Sequence, residues 1–359
     1  MKKRILSLVL AAVMILAFAA CGSSSGNSTA PAASGAPAPA ESKDAAPADS
    51  GEVIELSFGH IQNPGHALAI APEEFKQFVE EKTNGRVKIT IFPSSQLGTQ
   101  REMIEQTVMG TLDINFSSVA ELSTGLNKPI IGAFELPFLS KDLKTQERLI
   151  NEVVMPELPK LLEGTGLKML NCYSNGIRQP ILKTRPITKL DDLKGLKMRC
   201  AETPLYVNLW TSLGCTVVTS PWSEAYTVVQ QGVADAAEAD AVGLVNVNLQ
   251  EVSNYYSRMG HIGAIYPTYI NEEKWNSIPA DLQEIIMECA AESQAKQIAD
   301  RQGLDDIAEK AIADAGVEIN DVPDEERAKM RAACQKMYDD FAAENNCQEL
   351  IDKLLAIDA

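Results

Sequence analysis

The chain has only three histidines, His60, His66 and His261, among its 359 residues. It has no His-Glu-x-x-His motif, no phosphate-binding glycine loop and, past residue 51, no Gly-x-Ser-x-Gly elbow, so the local signatures of common hydrolases and nucleotide enzymes are missing. Its seven cysteines are scattered without metal-type spacing, and no local pattern gives a cysteine nucleophile the histidine partner it needs. These absences argue against an enzyme, and they imply no cofactor. Basic charge is also scarce: 32 Lys and Arg stand against 49 Asp and Glu, a formal net charge of −17. Without a Lys/Arg stripe, nucleic acid is not an expected partner, and any anion site must be built from local positive groups against the global field. Past residue 20, no uncharged apolar run is long enough to span a membrane.

The start of the chain speaks to compartment. Lys2, Lys3 and Arg4 precede an apolar and small-residue run from Ile5 to Ala20, the layout of a secretory signal peptide at residues 1–20. The run ends Phe18-Ala19-Ala20-Cys21, which resembles a bacterial lipobox with Phe where Leu is usual. Cleavage before Cys21 and lipidation of its thiol are expected; the alternative is an ordinary signal peptide with Cys21 incidental. Residues 22–51 are almost wholly Gly, Ser, Ala, Pro, Asn and Asp, a composition that cannot offset the entropy of ordering and predicts a tether. The expected location is extracytoplasmic, with a lipid anchor in the cell membrane. The other six cysteines, at 172, 200, 215, 289, 334 and 347, read as core residues, with a disulfide left open.

Residues 52–359 exceed what one hydrophobic core usually holds, so two lobes are expected. Strand and helix patterns alternate, which predicts an α/β fold. Strands are expected at 53–59, 87–92, 112–116, 167–173, 179–183, 197–200 and 262–270. Pro72 is expected to open a helix carrying Phe75, Phe78 and Val79, stopped at Asn84-Gly85. Helices are further expected at 101–110, around 141–162, at 206–213 and 224–231, and from 324 to 345, with Phe134–Phe138 extended. The run from about 280 to 315 has few breakers and is long enough to cross two lobes.

Several blocks carry a resemblance. Pro93-Ser94-Ser95-Gln96-Leu97-Gly98, Phe134-Glu135-Leu136-Pro137-Phe138, Asn175-Gly176-Ile177-Arg178-Gln179, the stretch Asp192 to Arg199, Ser223-Glu224-Ala225-Tyr226 and Gln231 to Asp235 resemble, in order and spacing, the solute-binding proteins of tripartite ATP-independent periplasmic (TRAP) transporters. The resemblance implies a two-lobed α/β clamshell, with a ligand cleft between lobes and a long helix spanning both. It places one lobe at 52–175 plus about 265–304, the other at 176–264 plus about 305–330, and a C-terminal helical segment at 331–359. It implies a monomeric receptor that captures a small organic acid and delivers it to two membrane subunits. Within the binding class, the alternatives are the lipoprotein of an ATP-driven importer or a ligand-sensing partner of a sensor kinase.

Arg199 ends an apolar strand, where an α/β lobe faces its ligand crevice, and its planar fork fits a carboxylate. The resemblance makes it the carboxylate-clamping arginine; the bland reading is an ion pair with Glu202. Arg178 resembles a second arginine at the same ligand end, or else it is a salt-bridge residue. Trp222, between a Pro turn and a helix start, is a candidate aromatic wall. Ser95, Gln96, Ser117 and Ser118 are candidate hydrogen-bonders or turn and cap residues, and His60 is a ligand contact or a structural histidine. Where the family commonly has an Asn that touches ligand, Ala239 stands here. Glu202 and Asp240 are candidate acceptors for hydroxyl or amino donors, and metal co-binding by these acids and Glu238 lacks decisive spacing. Two cations with one or two anions favour a hydroxylated or amino-bearing monoacid over a plain diacid.

Overall fold

Strand-forming, apolar-rich segments lie side by side in the computed structural model, which describes residues 53–358; the signal peptide, Cys21 and the tether lie outside the described residues. The strands are β1 (Ile54–Gly59), β2 (Val87–Phe92), β3 (Ile114–Phe116), β4 (Leu167–Leu182), β5 (Lys197–Cys200), β6 (Thr216–Thr219), β7 (Ala236–Ala239), β8 (Tyr255–Arg258), β9 (Ile262–Asn271) and β10 (Glu318–Asp321). They are hydrogen-bonded in the order β2-β1-β3-β9-β4-β7-β5-β6, with β8 on β4 and β10 on β8.

Two parallel groups face each other through this order. β1 pairs parallel with β2 and β3 in one lobe, and β5 pairs parallel with β6 and β7 in the other. The lobes are joined by β4, antiparallel to β9 over the first lobe and to β7 over the second. The helix Ala280–Asp314 packs on the Ala67–Lys82 helix, on β4 and on the Ala241–Asn246 helix, so it runs along both lobes. Its buried face includes Leu282, Ile286, Cys289 and Ala290 at one end and Ala308 and Ile312 at the other.

Local chemistry moved several expected boundaries. The two strands expected at 167–173 and 179–183 are one strand, carried across Asn175-Gly176 by a bulge with Gly176 at φ +72°; the Asn-Gly pair reads as a turn, but here it only shifts register. Pro72 does not open its helix. His66 caps that helix, its Nδ1 accepting from the Leu68 amide at 3.0 Å. Phe134 and Glu135 are not extended but end a 3-10 helix, Pro129–Glu135. The 324–345 helix is broken at Cys334 into Asp324–Ala333 and Gln335–Asn345. All six described cysteines are free, and no described helix is long and apolar enough to cross a membrane.

Candidate functional site

The carboxyl ends of parallel strands are where α/β sheets leave a crevice, and here the ends from both lobes meet. β1 leads into Ile61-Gln62, β3 into Ser118, β5 into Ala201-Glu202, β6 into Ser220-Pro221-Trp222 and β7 into Asp240; all of these line one cavity of about 150 Å³. A space of that size holds a six-membered ring. Short caps follow two of these ends: Ser118 Oγ accepts from the Glu121 amide at 3.2 Å, and Asp240 from the Gly243 amide at 3.0 Å.

Three arginines are buried among the described residues: Arg178, Arg199 and Arg301. Two have acid partners. Arg178 donates through Nε to Glu238 Oε2 at 2.5 Å and through Nη2 to Glu238 Oε1 at 2.9 Å. His261 Nε2 lies 3.0 Å from the same carboxylate. Burial alone would raise the Glu238 carboxyl, but Arg178 and His261 hold it down at about 2. Arg301 donates through Nη2 to Asp240 at 2.7 Å and to Asp305 at 2.6 Å, and His66 Nε2 is 3.5 Å from Asp240. Against the effect of burial, Arg301 and His66 keep Asp240 well below the usual carboxylate range.

Arg199 is different. It is 1% exposed, and its hydrogen bonds go to the Ser220 hydroxyl at 3.1 Å and to the Ser220 carbonyl, not to a carboxylate. Its guanidinium lies 5.4 Å from the Trp222 ring centroid. Burial lowers it to about 10; the more distant Glu238 opposes that shift and Arg178 adds to it. A desolvated cation without a counter-ion is costly, and a carboxylate in the cavity would relieve that cost.

The structure brings Arg199, Arg178, Trp222, Ser95, Ser118, Glu202 and Asp240 to the cavity wall and leaves out three other sequence candidates. Gln96 is exposed outside it; Thr99, not Ser95 or Gln96, caps the next helix. Ser117 turns inward to hydrogen-bond with Tyr269 at 3.0 Å. His60 stacks on Phe116 with ring centroids 5.3 Å apart, and its Nδ1 accepts from the Gln62 amide at 3.2 Å; burial, then His66, lowers it to about 4. Two of the wall residues also have charged partners. Arg178 carries the salt bridge to Glu238, so it is not a second free cation, and Asp240 Oδ2 takes the bonds from Arg301 and from the Gly243 amide.

Sequence reasoning missed Glu121, Tyr206, Tyr266, Asn175 and Ser220, all on the cavity wall. Glu121, three residues past Ser118, has a carboxyl raised by burial and then by Glu202, with Arg199 opposing. The Arg178 guanidinium carbon lies over Tyr206, 5.4 Å from the tyrosine's ring centroid, and the Tyr206 hydroxyl donates to Glu135 Oε2 at 3.1 Å. Glu135 also accepts from the Ala120 and Ile265 amides at 3.0 Å each, and burial pushes it up to about 7. Ser220 follows β6 directly, so the strand-end rule could have found it; nothing in the sequence singles out Tyr206.

A family model described as bacterial extracellular solute-binding protein, family 7, matches residues 58–345. The 2,3-diketo-L-gulonate-binding periplasmic protein YiaO of Escherichia coli (strain K12) is 29% identical over 268 residues, 74% of this chain and 80% of its own length. Among solved structures, a TRAP periplasmic solute-binding protein from Chromohalobacter salexigens with bound D-glucuronate is 26% identical with a TM-score of 0.80, covering 84% of this chain and 99% of that one. Another, from Desulfovibrio salexigens with bound orotic acid, is 28% identical with a TM-score of 0.78, covering 84% and 98%.

Proposed function

The chain belongs to family 7 of the bacterial extracellular solute-binding proteins, and from that premise we propose that this TRAP receptor captures a hydroxylated or amino-bearing monoacid, a sugar acid ahead of a plain diacid. The observation that carries this reading is Arg199, among the described residues the single buried arginine without an acid partner. One unmatched cation suits one carboxylate. Around it, Glu121 and Glu202 offer acceptors that a second carboxylate would repel and that hydroxyl or amino donors would satisfy. Trp222 supplies an aromatic wall beside the guanidinium. D-glucuronate and orotic acid, bound by the two relatives, each join one carboxylate to ring donors, which supports the same class.

In the mechanism, the acid enters the open cleft between lobes and its carboxylate takes the fork of Arg199. Arg178, held by Glu238 and Tyr206, shapes the wall without adding net charge. The lobes, with the boundaries given from the resemblance, close over the ligand, and the closed form is what the membrane subunits accept. The protein acts as a binding monomer, without catalysis, tethered by lipid on Cys21. Replacing Cys21 by Ala is expected to release the chain from membranes or leave it unprocessed, with ligand affinity kept.

A thermal-shift screen of the full chain tests the ligand class, because a ligand at 100 times its dissociation constant adds about 2.7 kcal/mol. D-glucuronate or another hydroxylated monoacid should give the largest shift. A larger shift from succinate than from every hydroxy acid would contradict the reading.

A further inference from the structure

Arg199 accounts for one end of a bound acid and leaves open what reads the rest of it. Among the described residues with a buried polar atom lacking a hydrogen-bond partner, only Asn175 lines the cavity. It is 2% exposed, and its side-chain oxygen has no partner. Buried polar atoms are nearly always hydrogen-bonded, so an orphan at a cavity wall needs a reason.

The backbone around Asn175 is built to place the residue on that wall. In a regular strand, residues three apart point to opposite faces, so Asn175 and Arg178 should not share a wall. The register shift between Ser174 and Ile177 puts both on the cavity. That shift is fixed from both sides. The Ser174 amide donates to Gln297 Oε1 at 2.9 Å, and Gln297 Nε2 donates back to the Ser174 carbonyl at 2.7 Å. Gln146 accepts from the Ser174 hydroxyl at 2.6 Å and donates to the Gly176 carbonyl at 3.2 Å. Gly176 is at φ +72°, and a Cβ there would stand 2.6 Å from Arg301 Nη2, so the bulge cannot carry a side chain. The polar groups of Ser174 and Gly176 are hydrogen-bonded, while the Asn175 side-chain oxygen is not.

Arg199 enters the cavity from elsewhere. It is level with Ala237 on β7, which pairs with Ile181 near the end of β4, while Asn175 lies mid-strand. We infer that Asn175 is a specificity-determining residue whose amide hydrogen-bonds a ligand hydroxyl away from the carboxylate held by Arg199. A hydroxyl both donates and accepts, so it meets either end of an amide. This rests on the monoacid reading above and deepens it: the preferred ligand carries a hydroxyl placed to meet Asn175, and an acid lacking that hydroxyl leaves the amide unpaired.

The test is calorimetric titration of D-glucuronate and of succinate into the full wild-type chain and its Asn175→Leu and Asn175→Ser variants, with Tm measured without ligand. Asn175→Leu is expected to weaken D-glucuronate binding roughly 10- to 100-fold. Its unliganded Tm should be unchanged or raised, because an apolar group of similar size replaces an unpaired polar one. Asn175→Ser, which restores a short hydroxyl, should recover part of the affinity. A wild-type chain that prefers D-glucuronate, with a loss under threefold in Asn175→Leu, overturns this inference alone. A fall in unliganded Tm in both variants also overturns it, making Asn175 a structural residue. A wild-type chain that prefers succinate overturns the monoacid reading together with this inference.

Discussion

Arg178 on β4 and Arg199 on β5 face the same cavity from either side of β7, and both are nearly inaccessible, at 5% and 1% exposed. Around Arg178, Glu238, His261, Tyr206 and Glu135 form a network in which the guanidinium has a full counter-charge. Arg199 hydrogen-bonds only to a serine and lies beside an aromatic face, with no carboxylate in a salt bridge to it among the described residues. One region is complete without ligand and the other is not. A buried charge therefore signals a binding site when its neighbours leave it unmatched, and burial by itself does not.

The sharpest way to break this contrast is to unbalance the complete region. Glu238→Gln leaves Arg178 charged and buried without a counter-ion, which should cost about 3–5 kcal/mol of stability. Replacing the pair together, Arg178→Met with Glu238→Leu, should restore most of that loss, as thermal unfolding would show. An equal loss in single and double variants would mean that the pair's charge is not what holds the region.

Next in size is a pH effect from the same network. Burial raises Glu135 to about 7, above its ordinary carboxylate value. Its protonated form therefore favours the folded state: its contribution is full below the ordinary carboxyl range and is lost as pH rises through about 7. Glu135→Gln should remove that slope, so the stability difference between variant and wild type should change by up to roughly 3 kcal/mol between pH 4 and pH 8. Parallel stability curves would contradict it.

Two smaller effects belong to the incomplete region. Arg199→Lys keeps the charge but not the fork and should weaken binding by roughly tenfold, about 1.4 kcal/mol. Trp222→Leu removes the aromatic face beside the guanidinium. At about 0.5–2 kcal/mol for such a contact, it should cost a few-fold to roughly 30-fold in affinity by the same titration.

Much of this was legible in the sequence because it is written locally. The alternation of strand and helix, the long helix near 280–315 and Arg199 at a strand end all follow from short-range pattern. What was not legible depends on partners far apart in the chain. The Arg178–Glu238 pair joins residues 60 apart and the Tyr206–Glu135 bond residues 71 apart, so no local pattern distinguishes a matched arginine from an unmatched one. Asp240 likewise looked free until Arg301, 61 residues on, was placed beside it. Asn175 was hidden for a different reason: the Asn-Gly pair reads as a strand break, and only the pairing with β9 shows that the strand continues.

The central claim is that the cleft holds one buried cation waiting for one carboxylate. Titration of D-glucuronate into wild type and Arg199→Ala at the same pH tests it most directly. Removing one partner of a desolvated charge pair costs roughly 2–5 kcal/mol, so affinity should fall by about 30- to 4,000-fold, without a matching loss of unliganded stability. A fall of threefold or less in a folded Arg199→Ala protein would contradict the account.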